Sequence, residues 1–190
     1  MPQAKTLKDT ELKTVLAVVS QTSHPERNRA MLLLSYWAGM RVGEIAALKI
    51  CDVVGENGKI KEQIYLHASQ TKGNNGRTVT LSDKLRKELA NYASTILSPC
   101  TSWAFIPSQR DRKNGFRSNS LGQEFISIYK RSGVDAATSH SGRRTFITNL
   151  ANKGVSARVL MALAGHRNLS TTQRYIDVND DLKRVAVNLL

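Results

Sequence analysis

The sequence predicts a mainly helical fold carrying one small antiparallel β-sheet, an α+β arrangement within a single domain. Three observations predict it. Apolar residues recur at helical spacing along most of the chain. Between Asp52 and Leu81 that spacing gives way to short β-branched and aromatic runs separated by Gly/Asn turns. A length of 190 residues with 41% hydrophobic content can bury one full core, whereas two domains would be cramped.

Thr6 is a candidate N-cap for a first helix that buries Leu12, Val15, Leu16 and Val19 and ends around Gln21 to Pro25. Glu26 to Ala38 is a second, in which Met31, Leu32, Leu34, Tyr36 and Trp37 leave almost no polar side, so it belongs in the core. His24, in the loop before it, reads as a solvated residue rather than a ligand. Gly39 breaks that helix, and Met40 to Ile45 starts another with Leu48 and Ile50 inward. Arg41 sits at this start and, taken alone, reads as a surface arginine, although a positive charge gains nothing there from the backbone dipole and would invite an anionic partner. Glu44, one turn on, reads as a group that orients Arg41 or a backbone amide, not as a base.

The sheet is expected from Val53-Val54, Ile64 to Leu66 and Thr78 to Leu81, with turns at 55–58 and 71–76. Lys72 lies on the second hairpin, in a glycine-containing tip able to approach another molecule closely. Taken alone it reads as an exposed turn lysine. Arg77, on the same hairpin, is a candidate DNA contact. Ser82 or Asp83 caps a helix with Leu85, Leu89, Tyr92, Ile96 and Leu97 inward, closed by Ser98-Pro99. The polar stretch Ser108 to Arg117 offers Arg112, Lys113 and Arg117 to a nucleic-acid backbone, the alternative being a solvated turn. Ser118 or Ser120 then opens a helix through Leu121, Phe125, Ile126 and Tyr129, ended by Gly133.

The most informative stretch is Thr138 to Val178, TSHSGRRTFITNLANKGVSARVLMALAGHRNLSTTQRYIDV. Ser139 is a candidate N-cap, His140 and Arg143 share a helix face, and Phe146, Ile147 and Leu150 form the side that is buried. A second amphipathic helix, Val155 to Ala164, turns Val159, Leu160 and Leu163 inward and ends at Gly165, which sets His166 at a helix terminus. Tyr175 follows in a short polar segment. The order His, Arg, His, Tyr, with no carboxylate beside any of them, suits a phosphate: charge developing on its equatorial oxygens needs Arg and His donors, and a phenol can attack. The tail, 180–190, is too apolar to hang free, so it packs on its own body or on a neighbour.

Composition narrows the partners. Lys and Arg number 28 against 15 Asp and Glu, a formal charge of +13 that draws polyanions, nucleic acid first, although a ribosomal or membrane-surface protein would look alike by charge alone. Cys51 and Cys100 have neither metal-site nor disulfide-framework spacing, which suits reduced thiols in a cytosol. No apolar run approaches the roughly 20 residues of a membrane span. The N-terminus also lacks a signal-peptide core, so a soluble cytoplasmic protein without a membrane partner is expected.

The boxes AGMRVGEIAALKICDV, HSGRR and AGHRNLSTTQRYIDV, in that order, resemble those of the tyrosine recombinase (phage integrase) family, from about residue 6 to 178. The resemblance implies that family's catalytic-domain fold and a catalytic set of Arg41, Lys72, His140, Arg143, His166 and Tyr175. Arg144, beside Arg143, is a further candidate for gripping DNA. Departures from the family pattern are Gly142 and Arg144 flanking Arg143, and Ala164 where leucine is usual before the Gly-His pair. Implied too is site-specific recombination, integration among its forms: Tyr175 attacks a phosphodiester to give a 3′-phosphotyrosine, His140 accepts the phenol's proton, Lys72 protonates the leaving 5′-oxygen, and Arg41, Arg143 and His166 hold the non-bridging oxygens. Neither metal, nucleotide nor other cofactor is called for. The partner would be a double-stranded recombination site, bound by a homo-tetramer on paired sites with a monomer possible in isolation. The tail is a candidate assembly element, and the family's N-terminal DNA-binding domain has no room before residue 6. A type IB topoisomerase and a non-catalytic DNA-binding relative are the alternatives.

Overall fold

The computed structural model describes residues 4–71, 73–96, 100–176 and 187–188. Lys72, the expected helix end at Leu97 to Pro99 and nearly all of the apolar tail lie outside the described residues.

Helix α1 (Asp9–Val19) buries Leu12, Val15 and Val19. It begins later than Thr6 because Glu11 at its third position accepts from the Lys8 N–H at 2.9 Å, so an acid in the first turn does the capping. Helix α2 (Pro25–Ala38) has proline in its first turn and ends at Gly39, whose φ of +62° is a left-handed cap. Residues on all its sides are buried, even Arg27 and Asn28, which hydrogen-bond each other. Helix α3 (Val42–Ala46) follows, then α4 (Ile50–Val53). Here the structure departs from the strand expected at Val53-Val54. Asp52 Oδ2 accepts from the Lys49 N–H at 2.9 Å and caps a helical turn, leaving Val54 a single bridge to Ile60.

Strands β1 (Gln63–Leu66) and β2 (Arg77–Thr80) pair antiparallel, Gln63 opposite Thr80 and Leu66 opposite Arg77. Alternation puts Ile64, Leu66 and Val79 in the core and leaves Tyr65 exposed. Helix α5 (Asp83–Ala93) is capped by Ser82, as expected, and α6 (Ser118–Arg131) buries Leu121, Phe125, Ile128 and Tyr129. Ile126, expected inward, is exposed because the buried stripe runs through Ile128. Helices α7 (Ser141–Asn152), α8 (Ala157–Ala164) and α9 (Leu169–Gln173) complete the order. The cap residue of α7 is His140, not Ser139: Ser141 Oγ turns back to accept from the Thr138 N–H at 2.9 Å. On α8 the inward residues are Leu160 and Ala164, and Val159 is exposed.

Helix α2 forms the centre, packed on α7 and α5, with α1 and α3 against α6 and α8 bridging α7 to α9. The α2–α7 contact explains the glycine at 142: a Cβ there would lie 2.7 Å from Ser35 Oγ and 3.3 Å from the Tyr36 nitrogen. Gly142→Ala, favourable by helix propensity, is therefore expected to destabilise the fold by about 1–3 kcal/mol through overpacking. Denaturant melts should show this loss, and should show it shrink when Ser35→Gly is added.

Candidate active site

The C-terminal end of α8 organises the site. A helix ends with carbonyls that have no intrahelical partner and carry the negative end of the backbone dipole. Three consecutive ones each receive an arginine: Leu163 O from Arg77 Nη1 at 3.0 Å, Ala164 O from Arg143 Nη2 at 2.6 Å, and Gly165 O from Arg41 Nη2 at 3.2 Å. Gly165, at φ +62°, turns the chain sharply there and leads into His166. Its missing side chain also makes room for Arg77, whose Cδ would lie 2.4 Å from a Cβ at 165.

Arg143 comes from the first turn of α7 and is 5% exposed. Its Nη1 donates at 2.5 Å to the carbonyl of Gly39, the cap of α2, so one guanidinium bridges two helix C-termini. Burial, then the positive charges of Arg41 and Arg77, lower its pKa to about 9, which leaves it protonated at neutral pH. Arg41, the cap residue of α3, is held by Glu44: Oε2 accepts from its backbone N–H and Oε1 from Nη1, both at 2.8 Å. Glu44 thus orients both the arginine and a backbone amide, as expected.

Arg77 departs from expectation. Instead of facing outward toward DNA, it points inward with its side chain 10% exposed, donating to Glu44 from Nε at 3.1 Å and Nη2 at 2.7 Å as well as to Leu163 O. The buried carboxylate attracts it more strongly than solvent can. Burial works to raise the Glu44 pKa, but the hydrogen bond and charge of Arg77, with Arg41, outweigh it and hold the carboxyl below its ordinary value. Three guanidinium groups against one carboxylate leave the cluster with two uncompensated positive charges, one of which a bound phosphodiester would neutralise.

His166 Nδ1 lies 2.9 Å from Oγ1 of fully buried Thr172 on α9, which fixes the ring. The Tyr175 ring stacks on it, centroids 5.8 Å apart and planes 22° apart, and Arg144 lies over the tyrosine, its Cζ 5.5 Å from the centroid. Arg144 thus touches Tyr175. Exposed His140 shares with Arg41 a cleft of about 690 Å³, and a second cleft of about 520 Å³ is lined by Arg41, Arg77, Gly73, His166 and Arg167. Arg112 and Arg117 line other clefts, each with Arg27, and Lys113 is exposed. Arg41, Arg143, His166 and Tyr175 are therefore brought together with His140 at the edge, while Lys72 lies outside the described residues.

Sequence reading missed Thr172 and the inward role of Arg77. The Thr171-Thr172 pair was visible but carried no signal of which hydroxyl faces the histidine. Burial, then Arg143, Arg41 and Arg77, push the His166 pKa down to about 4. An unfolded histidine takes up its proton near pH 6.5, so this contribution to stability is complete above that pH and is lost as pH falls toward 4. By NMR the His166 ring should stay neutral at pH 6, and a bound phosphodiester should raise its pKa by offsetting the arginines.

The phage integrase family model matches residues 5–181. By sequence the chain is 31% identical over 183 residues to tyrosine recombinase XerA of Pyrococcus horikoshii, covering 96% of this chain and 60% of that protein. By fold it is similar to the crystal structure of XerA recombinase, with a TM-score of 0.74 and 24% identity over 100% of this chain and 63% of that one. It is similar also to the Tn1549 transposon integrase in complex with circular intermediate DNA, with a TM-score of 0.74 and 17% identity over 99% and 67% of the two chains. The chain spans 60% of the length of the curated XerA relative.

Proposed function

The chain belongs to the phage integrase family, and from that premise we propose that it is the catalytic unit of a site-specific DNA recombinase. Tyr175 attacks one phosphodiester. A P–O5′ bond breaks, a 3′-phosphotyrosine forms, and a free 5′-hydroxyl is left. His140 accepts the phenol's proton and Lys72 donates one to the leaving oxygen, so neither metal nor ATP enters the step. Arg41, Arg143 and His166 hold the non-bridging oxygens, with Arg77 and Glu44 bracing Arg41. Because the phosphotyrosine conserves the energy of the broken bond, a 5′-hydroxyl from a second duplex can displace the tyrosine and complete strand exchange.

A single observation carries this reading: arginines remote in sequence donate to the adjacent carbonyls Ala164 O and Gly165 O, immediately before the histidine on which Tyr175 stacks. The net charge of +13 adds long-range attraction to the duplex, with Arg112, Lys113 and Arg117 the candidate backbone contacts. In the same reading the chain is one domain acting in the cytoplasm, as a tetramer on paired sites.

The test is covalent capture. A pool of short duplexes with a random centre carries a nick near its middle, so that the released fragment diffuses away and traps the adduct. Protein-linked DNA formed in EDTA without nucleotide is the expected result, and binding without linkage would make the chain a non-catalytic DNA-binding protein.

A further inference from the structure

We propose that Arg167 is a positioning residue that acts through Lys72, by pinning the β1–β2 hairpin against the turn that holds His166. The proposal rests on the enzymatic reading above and adds a residue to it. Arg167 Nη2 donates to the carbonyl of Gly73, the residue after Lys72. With the Asn75 amide in the orientation that satisfies its neighbours, its side-chain oxygen accepts from Arg167 Nη2 at 2.7 Å and Nε at 3.0 Å. One planar guanidinium thereby grips the hairpin tip at two points, which a lysine's single ammonium cannot copy.

The tip is shaped for this grip. Thr71 Oγ1 donates to Asn75 O at 2.6 Å and closes the loop on itself. Gly73, at φ +98°, has no Cβ, and one placed there would lie 3.3 Å from Arg167 Nη2. The hairpin's own pairing is short, four residues per strand, so its far end needs an outside tether to hold one position. That tether is the side chain next to His166, on the cleft shared with Arg41. The described end of the hairpin loop, Gly73 and Asn75, and the turn that carries His166 are thus joined through one arginine.

Arg167 is exposed and could act on DNA directly, so the test must separate the two roles. In the proposed step the P–O5′ bond breaks as the leaving oxygen takes a proton from Lys72. If sulfur replaces that bridging oxygen, a thiol with pKa near 8.5 leaves without needing the proton. The probe is the nicked duplex that wild-type protein captures from the pool, made with oxygen or sulfur at the scissile 5′ position.

Arg167→Ala should form adduct about 10–100-fold more slowly on the oxygen duplex, return to the wild-type rate on the sulfur duplex, and speed amide exchange across residues 73–77. Lys72→Ala should show the same rescue, and Arg167→Lys the same defect as Arg167→Ala. The idea is overturned if Arg167→Ala matches wild type on oxygen, if it is equally slow on both duplexes, or if hairpin exchange does not change. Wild-type protein that links to neither duplex would overturn the enzymatic reading, and this proposal with it.

Discussion

Tyr175→Phe is expected to abolish covalent attachment to DNA, at least about a thousandfold, while leaving DNA affinity unchanged. The substitution removes one oxygen. The ring that stacks on His166 and lies beneath Arg144 stays in place, as do the arginines and the positive charge that draws the duplex in. Gel-shift titration should superimpose on wild type, while the denaturing-gel adduct disappears. Residual adduct near the wild-type level would assign the nucleophile to another group. Lost affinity would show that the hydroxyl serves binding rather than attack.

The second large effect is expected at Glu44. Its carboxylate is 1% exposed and takes hydrogen bonds from the side chains of Arg41 and Arg77 and from the Arg41 backbone. Removing the charge leaves buried guanidinium groups facing one another without compensation, a change that costs about 3–5 kcal/mol. Glu44→Gln should lower Tm by roughly 2–4 °C for each kcal/mol lost and should slow adduct formation, because Arg41 loses its tether. The pH dependence has a definite sign. A carboxyl whose folded pKa lies below its unfolded value contributes fully above the ordinary carboxylate range and loses that contribution as pH falls through the folded pKa. Wild type should therefore weaken in acid more steeply than Glu44→Gln, and parallel curves would count against the pairing.

What could be read from the sequence was local. The core placement of α2, the caps at Gly39 and Gly165 and the Ser82 cap rest on spacing or on one residue's backbone preference, and the structure reproduces them. The misplaced starts of α1 and α7, and the helical turn of α4 in place of an expected strand, share a cause: Glu11, Ser141 and Asp52 reach back from inside the first turn, a signal weaker than a Ser or Thr in the cap position itself. The site divides in the same way. Residue types and spacing named His140, Arg143, His166 and Tyr175 as candidates, and the family resemblance added Arg41. The inward turn of Arg77, the arginine triplet on the end of α8 and the hold of Thr172 on His166 depend on contacts between distant segments that no local pattern encodes.

The most direct test of the arrangement at the end of α8 is to digest the trapped protein–DNA adduct and find the linked residue by mass spectrometry. The expected result is a single DNA-bearing peptide that contains Tyr175, joined to the 3′ phosphate of the cleaved strand. DNA joined to any other residue, or through a 5′ phosphate, would contradict it.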